Sequence, residues 1–374
     1  MRFINILLGY FSITTLHRYF AARFVNAALA IFIGVFALVA MVDYVELVRR
    51  TGEVVDLSGW TVAKASLYRV PQITERLMPF TILLAGMVSF LNLSRRLELV
   101  IARAAGMSAW QFITPAMLMA LVIGILATTI YNPVSAFLQE QSKRLQAEMM
   151  GEDLGGLRKA SGSRLWVRQR SPDGQSIINA QTSREQGLKL GGVTVFTFDS
   201  AGTFKERIEA KSAELALGSW RLEEARVYAT GEPASPPQTY QLATNLTPEQ
   251  VRESFATPET VPFWSLPLYI ELADSAGLGA AGYRVQYQKL LALPFLFVSM
   301  VLLAGAVSLR FFRFGGVQKM VLAGVMTGFL LYVLSKFLED FSRAGLLNPI
   351  AAAWLPVLLG GLLGVLTLLH QEDG

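Results

Sequence analysis

The sequence predicts an α-helical membrane protein with six transmembrane helices and an inserted, extracytoplasmic antiparallel β-jelly-roll-like domain. Three observations carry this reading. The chain of 374 residues is 53% hydrophobic and 16% charged, with a mean hydropathy of +0.43, whereas soluble domains carry about 25% charged residues. Apolar runs of bilayer-crossing length, about 20 residues, fall into two groups of three. The interval between the groups is polar and alternates in short runs, which is the period of strands rather than of spanning helices.

The first membrane half is assigned to residues 1–139. Phe3–Phe11 reads as a short helix lying in the membrane interface. Phe24–Val42 is the first span, and more than twenty residues precede it, too many for the n-region of a removable signal peptide. Leu77–Ser94 is the second span. The third lies within Ala104–Gln139, a charge-free stretch with a natural break at Asn132-Pro133. The second half, 266–374, contains Leu290–Leu309, Met320–Ser335 and Ala344–Leu369. The fifth run is short, but Lys319 and Lys336 at its ends can snorkel to an interface. One or two of the six could instead be buried core helices, although such helices are usually shorter and punctuated by polar residues.

Basic residues set the orientation. With the N-terminus inside, the inner ends carry Arg2, Arg18 and Arg23, then Arg95, Arg96 and Arg103, then Arg310, Arg313 and Lys319, with Glu98 as the sole acid among them. The outer ends hold Asp43, Glu46, Glu53, Asp56, Glu339 and Asp340. Six spans then leave both termini in the cytoplasm and the polar interval outside. Arg49, Arg50, Lys64 and Arg69 break the pattern by falling on the outer side.

Residues 140–265 form the β domain with its helical connectors. In Val193–Phe198, Val193, Val195 and Thr197 lie opposite Thr194, Phe196 and Phe198; Arg207–Lys211 alternates charge with Ile208 and Ala210. Trp220, Leu222, Ala225, Val227 and Ala229 keep the alternation with one slip, as a bulge produces. Turn signals at Pro172-Asp173-Gly174, Gly191-Gly192, Ser200-Ala201-Gly202 and Gly231-Glu232-Pro233 separate the runs, a spacing that suits a sandwich or jelly roll. Ala136–Met150 reads as a helical extension of span three. Thr247-Pro248-Glu249-Gln250 reads as a helix start, Leu266–Ala273 as a short amphipathic helix, and Gly277–Gly282 as a hinge.

Several chemistries are excluded. There is no cysteine, so thiolate catalysis and Cys-ligated metal sites are out, and His17 and His370 near the chain ends make a His-rich metal site or a Ser-His-Asp triad improbable. No Walker A loop and no Gly-x-Ser-x-Gly elbow occur. The Gly282 region lacks the strand and crossover helix of a dinucleotide fingerprint. Basic residues do not interleave with aromatics over a groove-sized patch, which argues against nucleic acid. Glu339/Asp340 and Glu223/Glu224 are carboxylate pairs expected in solvated loops or strands. Charges inside spans are nearly absent apart from Glu75-Arg76, unlike an ion-coupled carrier.

The segment Leu93-Ser94-Arg95-Arg96-Leu97-Glu98-Leu99-Val100-Ile101-Ala102-Arg103-Ala104-Ala105-Gly106-Met107-Ser108 resembles the LptF/LptG family of lipopolysaccharide export permeases. Further matches are Arg18-Tyr19, Arg49-Arg50-Thr51-Gly52, Val70-Pro71 with Pro79, Asn132-Pro133, Leu165-Trp166, Asn245-Leu246-Thr247-Pro248, Gly328–Leu334 and Asn348-Pro349. The likeness covers essentially the whole chain, and Arg96–Leu99 with Arg49-Arg50 looks more like the LptG side of the family. The resemblance implies an ABC transporter permease without its own ATPase or cofactor. It would pair with an LptF-like permease above an LptB-like ATPase dimer. It would take lipopolysaccharide from the outer leaflet of the inner membrane and hand it to an LptC and LptA-like periplasmic bridge.

Candidate roles follow from that likeness. Arg49, Arg50, Arg69 and Arg76 would meet lipid phosphates through charge-assisted contacts, against the plain alternative of interfacial anchoring. Gln72 departs from the family's basic residue after Val-Pro, and Glu75 could neutralise Arg76. Phe80, Leu84 and Tyr332 would wall the acyl-chain cavity. Glu98, with Arg95, Arg103 and Gly106, would couple a short inner helix to the ATPase; otherwise Glu98 only balances its arginines. Gly324 and Gly328 would pack a lateral gate against span one of the paired permease, while Gly360 and Gly364 pack within the chain. Readings from other classes are a membrane-anchored envelope scaffold and a self-sufficient carrier. A membrane enzyme ranks last, for want of a catalytic constellation.

Overall fold

A computed structural model describes residues 15–51, 59–149, 165–171, 174–184, 188–199, 203–216, 218–229, 233–244, 258–275, 280–314 and 316–373. The expected Phe3–Phe11 helix, the helix start at 247–250 and residues 277–279 of the glycine hinge lie outside the described residues, as do parts of the turns at 172–173, 200–202 and 231–232. The chain divides into two compact units. One comprises Met1–Gln146, Pro262–Trp264 and Val285–Gly374; the other comprises Ala147–Val261 and Ser265–Arg284.

The described helices are α1 (Thr15–Thr51), α2 (Gly59–Arg95), the short α3 (Glu98–Ala104), α4 (Ala109–Leu126), α5 (Asn132–Met149), α6 (Leu266–Ser275), α7 (Ala281–Phe314), α8 (Val317–Arg343) and α9 (Pro349–Asp373). Six helical stretches among them are long and apolar enough to cross a membrane, with α4 and α5 acting as one. At 37 residues each, α1 and α2 reach about 55 Å, well beyond a hydrocarbon core of about 30 Å. That excess explains why each helix outruns its apolar segment. Within the unit α7 is the most buried span, and α1 and α8 are the least covered.

Local sequence sets the helix ends. Ser108 opens α4 with a capping box: its hydroxyl accepts from the Gln111 amide, and the Gln111 side chain accepts from the Ser108 amide. Asn348 caps α9 through the Ile350 amide, with Pro349 at the first helical position. The apolar run from Ala344 therefore includes the turn before α9. There Gly345 sits at φ +78 and closes α8 through Leu346 N–H to Phe341 C=O.

Asn132-Pro133 does not break the third span. A π-helical turn, Ala127–Tyr131, joins α4 to α5, with the Asn132 amide donating to the Ala127 carbonyl. Pro133 cannot donate to the Thr129 carbonyl four residues back, and the Trp264 indole N–H does so instead at 3.1 Å. The same exchange occurs at Pro294 in α7. The Leu290 carbonyl it leaves unserved accepts from the Thr128 hydroxyl at 2.9 Å. A bilayer core offers no water for such groups, so a neighbouring helix must supply the donor. Close approach is permitted by Gly124, where an added Cβ would run into Pro294.

The other unit contains β1 (Leu165–Ser171), β2 (Gly174–Arg184), β3 (Lys189–Phe198), β4 (Phe204–Ala216), β5 (Ser219–Ala229) and β6 (Gln238–Ala243). They form one antiparallel sheet in sequential order, each strand pairing with its chain neighbours. The strand order, open in the sequence, is thus a meander. Cross-strand rows build the core: Ile178, Val195, Ile208 and Val227; then Leu190, Ala213, Leu222 and Tyr240; then Leu215, Trp220 and Leu242. The inward phase switches at one level in three strands, around Gly192, Lys211 and Glu224. Gly192 (φ +61) and Glu224 (φ 52) take left-handed backbone there, and the slip expected in β5 falls between Leu222 and Ala225.

Candidate functional site

Two clusters of expected site residues lie at opposite ends of the membrane unit. At the end where α1 finishes and α2 begins, Asp43 is 6% exposed, accepts from the Ser66 hydroxyl at 2.8 Å and pairs with Arg69 at 3.4 Å. Arg69 is therefore committed to an internal partner, which its sequence position did not reveal. Arg49 pairs with Glu46 one turn back at 2.7 Å, on an open surface. Arg50 extends the α1 backbone, and its side chain lies outside the described residues.

Arg76 is exposed and makes no ion pair among the described residues. Its neighbour Glu75 turns the other way, accepting from the Asn132 side-chain Nδ2 at 2.7 Å and from the Ser135 hydroxyl. Gln72, the residue after Val70-Pro71, is buried, where a neutral amide costs less than a cation. Arg76, Phe80 and Leu84 recur every four residues and so share one face of α2. The Phe80 and Tyr332 rings meet with centroids 5.6 Å apart, bringing α8 onto that stripe.

Gly324 and Gly328 lie against α2. Their face is used inside the chain: a Cβ on Gly328 would lie 2.6 Å from Leu83 Cδ2, and one on Gly324 would strike Met87. Both contacts are with α2, so within the chain the pair seats α8 on α2. Gly360 and Gly364 pack within the chain, Gly360 against Leu331, Ser299 and Leu303, and Gly364 against Leu302. Glu339 departs from the solvated-loop reading. It lies on α8, 7% exposed, holding Lys289 at 3.0 Å and Arg343 one turn on. The Lys336, Glu339, Asp340, Arg343 spacing is a helical signal that could have revealed this.

The second cluster surrounds α3. Leu99 and Ala102 anchor it inward, while Leu97, Val100, Ile101, Arg95, Arg96 and Arg103 are exposed. Leu97 links α2 to α3 in left-handed backbone (φ 61), a costly conformation for a branched residue that turns α3 off the α2 axis. Gly106, at φ +86, ends α3 with Met107 N–H bonded to Ala102 C=O, as its glycine identity suggested. Glu98 is half-buried. Its Oε1 accepts from the Tyr19 hydroxyl at 3.0 Å, and its buried Oε2 has no hydrogen-bond partner among the described residues. Arg23 donates to the same phenol oxygen through Nε at 2.9 Å and Nη2 at 2.6 Å. Sequence reasoning did not bring Tyr19 to Glu98, which lies 79 residues on.

A family model described as lipopolysaccharide export system permease LptF/LptG matches residues 18–370. The lipopolysaccharide export system permease protein LptG of Escherichia coli is 22% identical over 334 residues, covering 86% of this chain and 88% of the relative. The protein of the same name from Haemophilus influenzae is 23% identical over 361 residues, covering 93% and 96%. Because the match runs through both membrane halves and the β domain between them, this chain belongs to the LptF/LptG family of lipopolysaccharide export system permeases.

Proposed function

We propose that this chain is an LptG-type permease subunit that draws lipopolysaccharide from the inner membrane and passes it to a periplasmic bridge, driven by a separate ATPase. The family and the six apolar helices make it a multi-pass inner-membrane protein. In this reading both termini are cytoplasmic. Membrane halves 1–139 and 266–374 flank a periplasmic domain, 140–265. Its partners are an LptF-like permease, an LptB-like ATPase dimer and LptC- and LptA-like jelly rolls.

The observation that carries the reading is α3. A seven-residue helix turned off the end of α2 exposes Leu97, Val100 and Ile101 within a ring of arginines. Exposed apolar residues ringed by charge are the anatomy of a protein docking surface. At the inner membrane face, an ATPase is the partner an exporter needs. Charge placement supports the orientation, since Arg18, Arg23, Arg95, Arg96 and Arg103 share this end.

The test is reconstitution with the paired permease and the ATPase, measuring ATP-dependent lipopolysaccharide release. Wild type should release lipid, and Glu98→Ala should hydrolyse ATP while releasing about tenfold less, the loss of one charge-assisted contact. ATPase that never co-purifies, or lipid release indifferent to ATP, would refute the proposal. An envelope scaffold would bind its periplasmic partner yet release nothing.

A further inference from the structure

We propose that Tyr19 is a positioning residue that ties the coupling acid Glu98 to span one, so that α1 moves with α3 when the ATPase closes. The inference rests on the permease reading above and adds a transmission route to it. Chain connectivity joins α3 only to α2 and α4, and α1 has no covalent reason to follow it.

The hydrogen-bond geometry supplies a reason. Arg23 is donor-only, and two of its N–H groups fall on the Tyr19 phenol oxygen. The lone pairs of that oxygen are thereby occupied, so its single proton must point outward to Glu98 Oε1 at 3.0 Å. Guanidinium, phenol and carboxylate thus form a one-way chain in which each bond polarises the next. Tyr19 and Arg23 are one turn apart on α1, so the chain grips the helix as a unit rather than a single side chain.

The Tyr19 bond adds a polar link from the start of α1 to α3. Among the spans α1 is the least covered by its own chain; it packs along α2 with Phe20 and Phe24 buried near Tyr19, and at the far end the Asp43–Arg69 pair ties it to α2. Glu98 meanwhile has spare capacity. Among the described residues its buried Oε2 has no donor, so Oε1 holds span one while Oε2 is left for a donor that arrives on docking.

The test uses the reconstituted complex with Tyr19→Phe, which removes one oxygen and keeps the ring. Lipopolysaccharide released per ATP hydrolysed should fall about fivefold, the factor given by ~1 kcal/mol for a net hydrogen bond, while ATPase co-purification stays at the wild-type level. The chain has no cysteine, so spin labels at Ala22→Cys and Ala105→Cys report α1 against α3 without background. Their distance should hold constant through the ATP cycle with Tyr19 and broaden with Tyr19→Phe. An unchanged release ratio with an unchanged distance distribution overturns the Tyr19 inference and leaves the permease reading standing. Loss of ATPase binding in Tyr19→Phe also overturns it, since the hydroxyl would then serve docking. A wild-type complex that releases no lipid with ATP overturns both.

Discussion

Replacing Arg69 by methionine separates a structural from a substrate role for this arginine. Asp43 is 6% exposed and Arg69 29%, and their contact is a single one at 3.4 Å. Removing one partner of a fully buried ion pair costs about 3–5 kcal/mol, because the other charge is left stranded. Here the guanidinium is partly wet, the contact is not bidentate, and Ser66 still donates to Asp43 at 2.8 Å. These features bring the expected loss down to about 2 kcal/mol, or a few degrees of thermal midpoint in detergent micelles. Adding Asp43→Asn should recover at least half, since no buried charge then lacks a partner. Lipopolysaccharide photocrosslinking measured on the same variants completes the test. A single variant that keeps full stability yet loses crosslinking, with no recovery in the double variant, would refute the structural assignment.

Two further substitutions probe the packing. Trp264→Phe should cost about 1 kcal/mol by leaving the Thr129 carbonyl unserved, and the penalty should vanish in a Pro133→Ala background, where an amide returns; thermal midpoints of the four forms decide it. Gly328→Ala places a methyl 2.6 Å from Leu83 Cδ2 and should lower stability by about 1–3 kcal/mol, with Leu83→Ala restoring room; an unchanged midpoint would contradict the close seating of α8 on α2.

What the sequence made legible is what apolar run length and alternation encode. Six spans, the inserted strands, the β5 slip and the Asn348-Pro349 start were all readable, because burial in lipid or on one sheet face acts on every residue of an element. The rotation of each helix about its axis is not encoded that way. In a run such as Phe24–Val42 every face is apolar, so nothing local tells Asp43 to meet Arg69, Gly328 to face Leu83, or Tyr19 to face Glu98. Those pairings emerge only when helices dock. The Asn132-Pro133 reading failed for a related reason. Proline penalises a helix by orphaning a carbonyl, and the donor that repairs this one, Trp264, is 135 residues away.

The pairing pattern narrows which cations serve an anionic lipid in the proposed function. Arg69 is held by a buried carboxylate, and freeing it would strand that charge. Among the described residues Arg49 pairs with a part-exposed Glu46 at three-residue spacing, a pair worth about 0–1 kcal/mol that a phosphate can displace. Arg76 needs no displacement, because Glu75 faces Asn132 and Ser135. Arg76 also stands at the head of the stripe that continues through Phe80 and Leu84, about 12 Å down one face of α2. A cation leading into an apolar face matches a lipid with phosphate at the interface and acyl chains below it. Tyr332 meets Phe80 on that stripe, and Gly328 lets α8 come close enough for it to do so. Among Arg49, Arg69 and Arg76, whose side chains are described, Arg76 is thus the one whose surroundings fit the lipid of the proposed function.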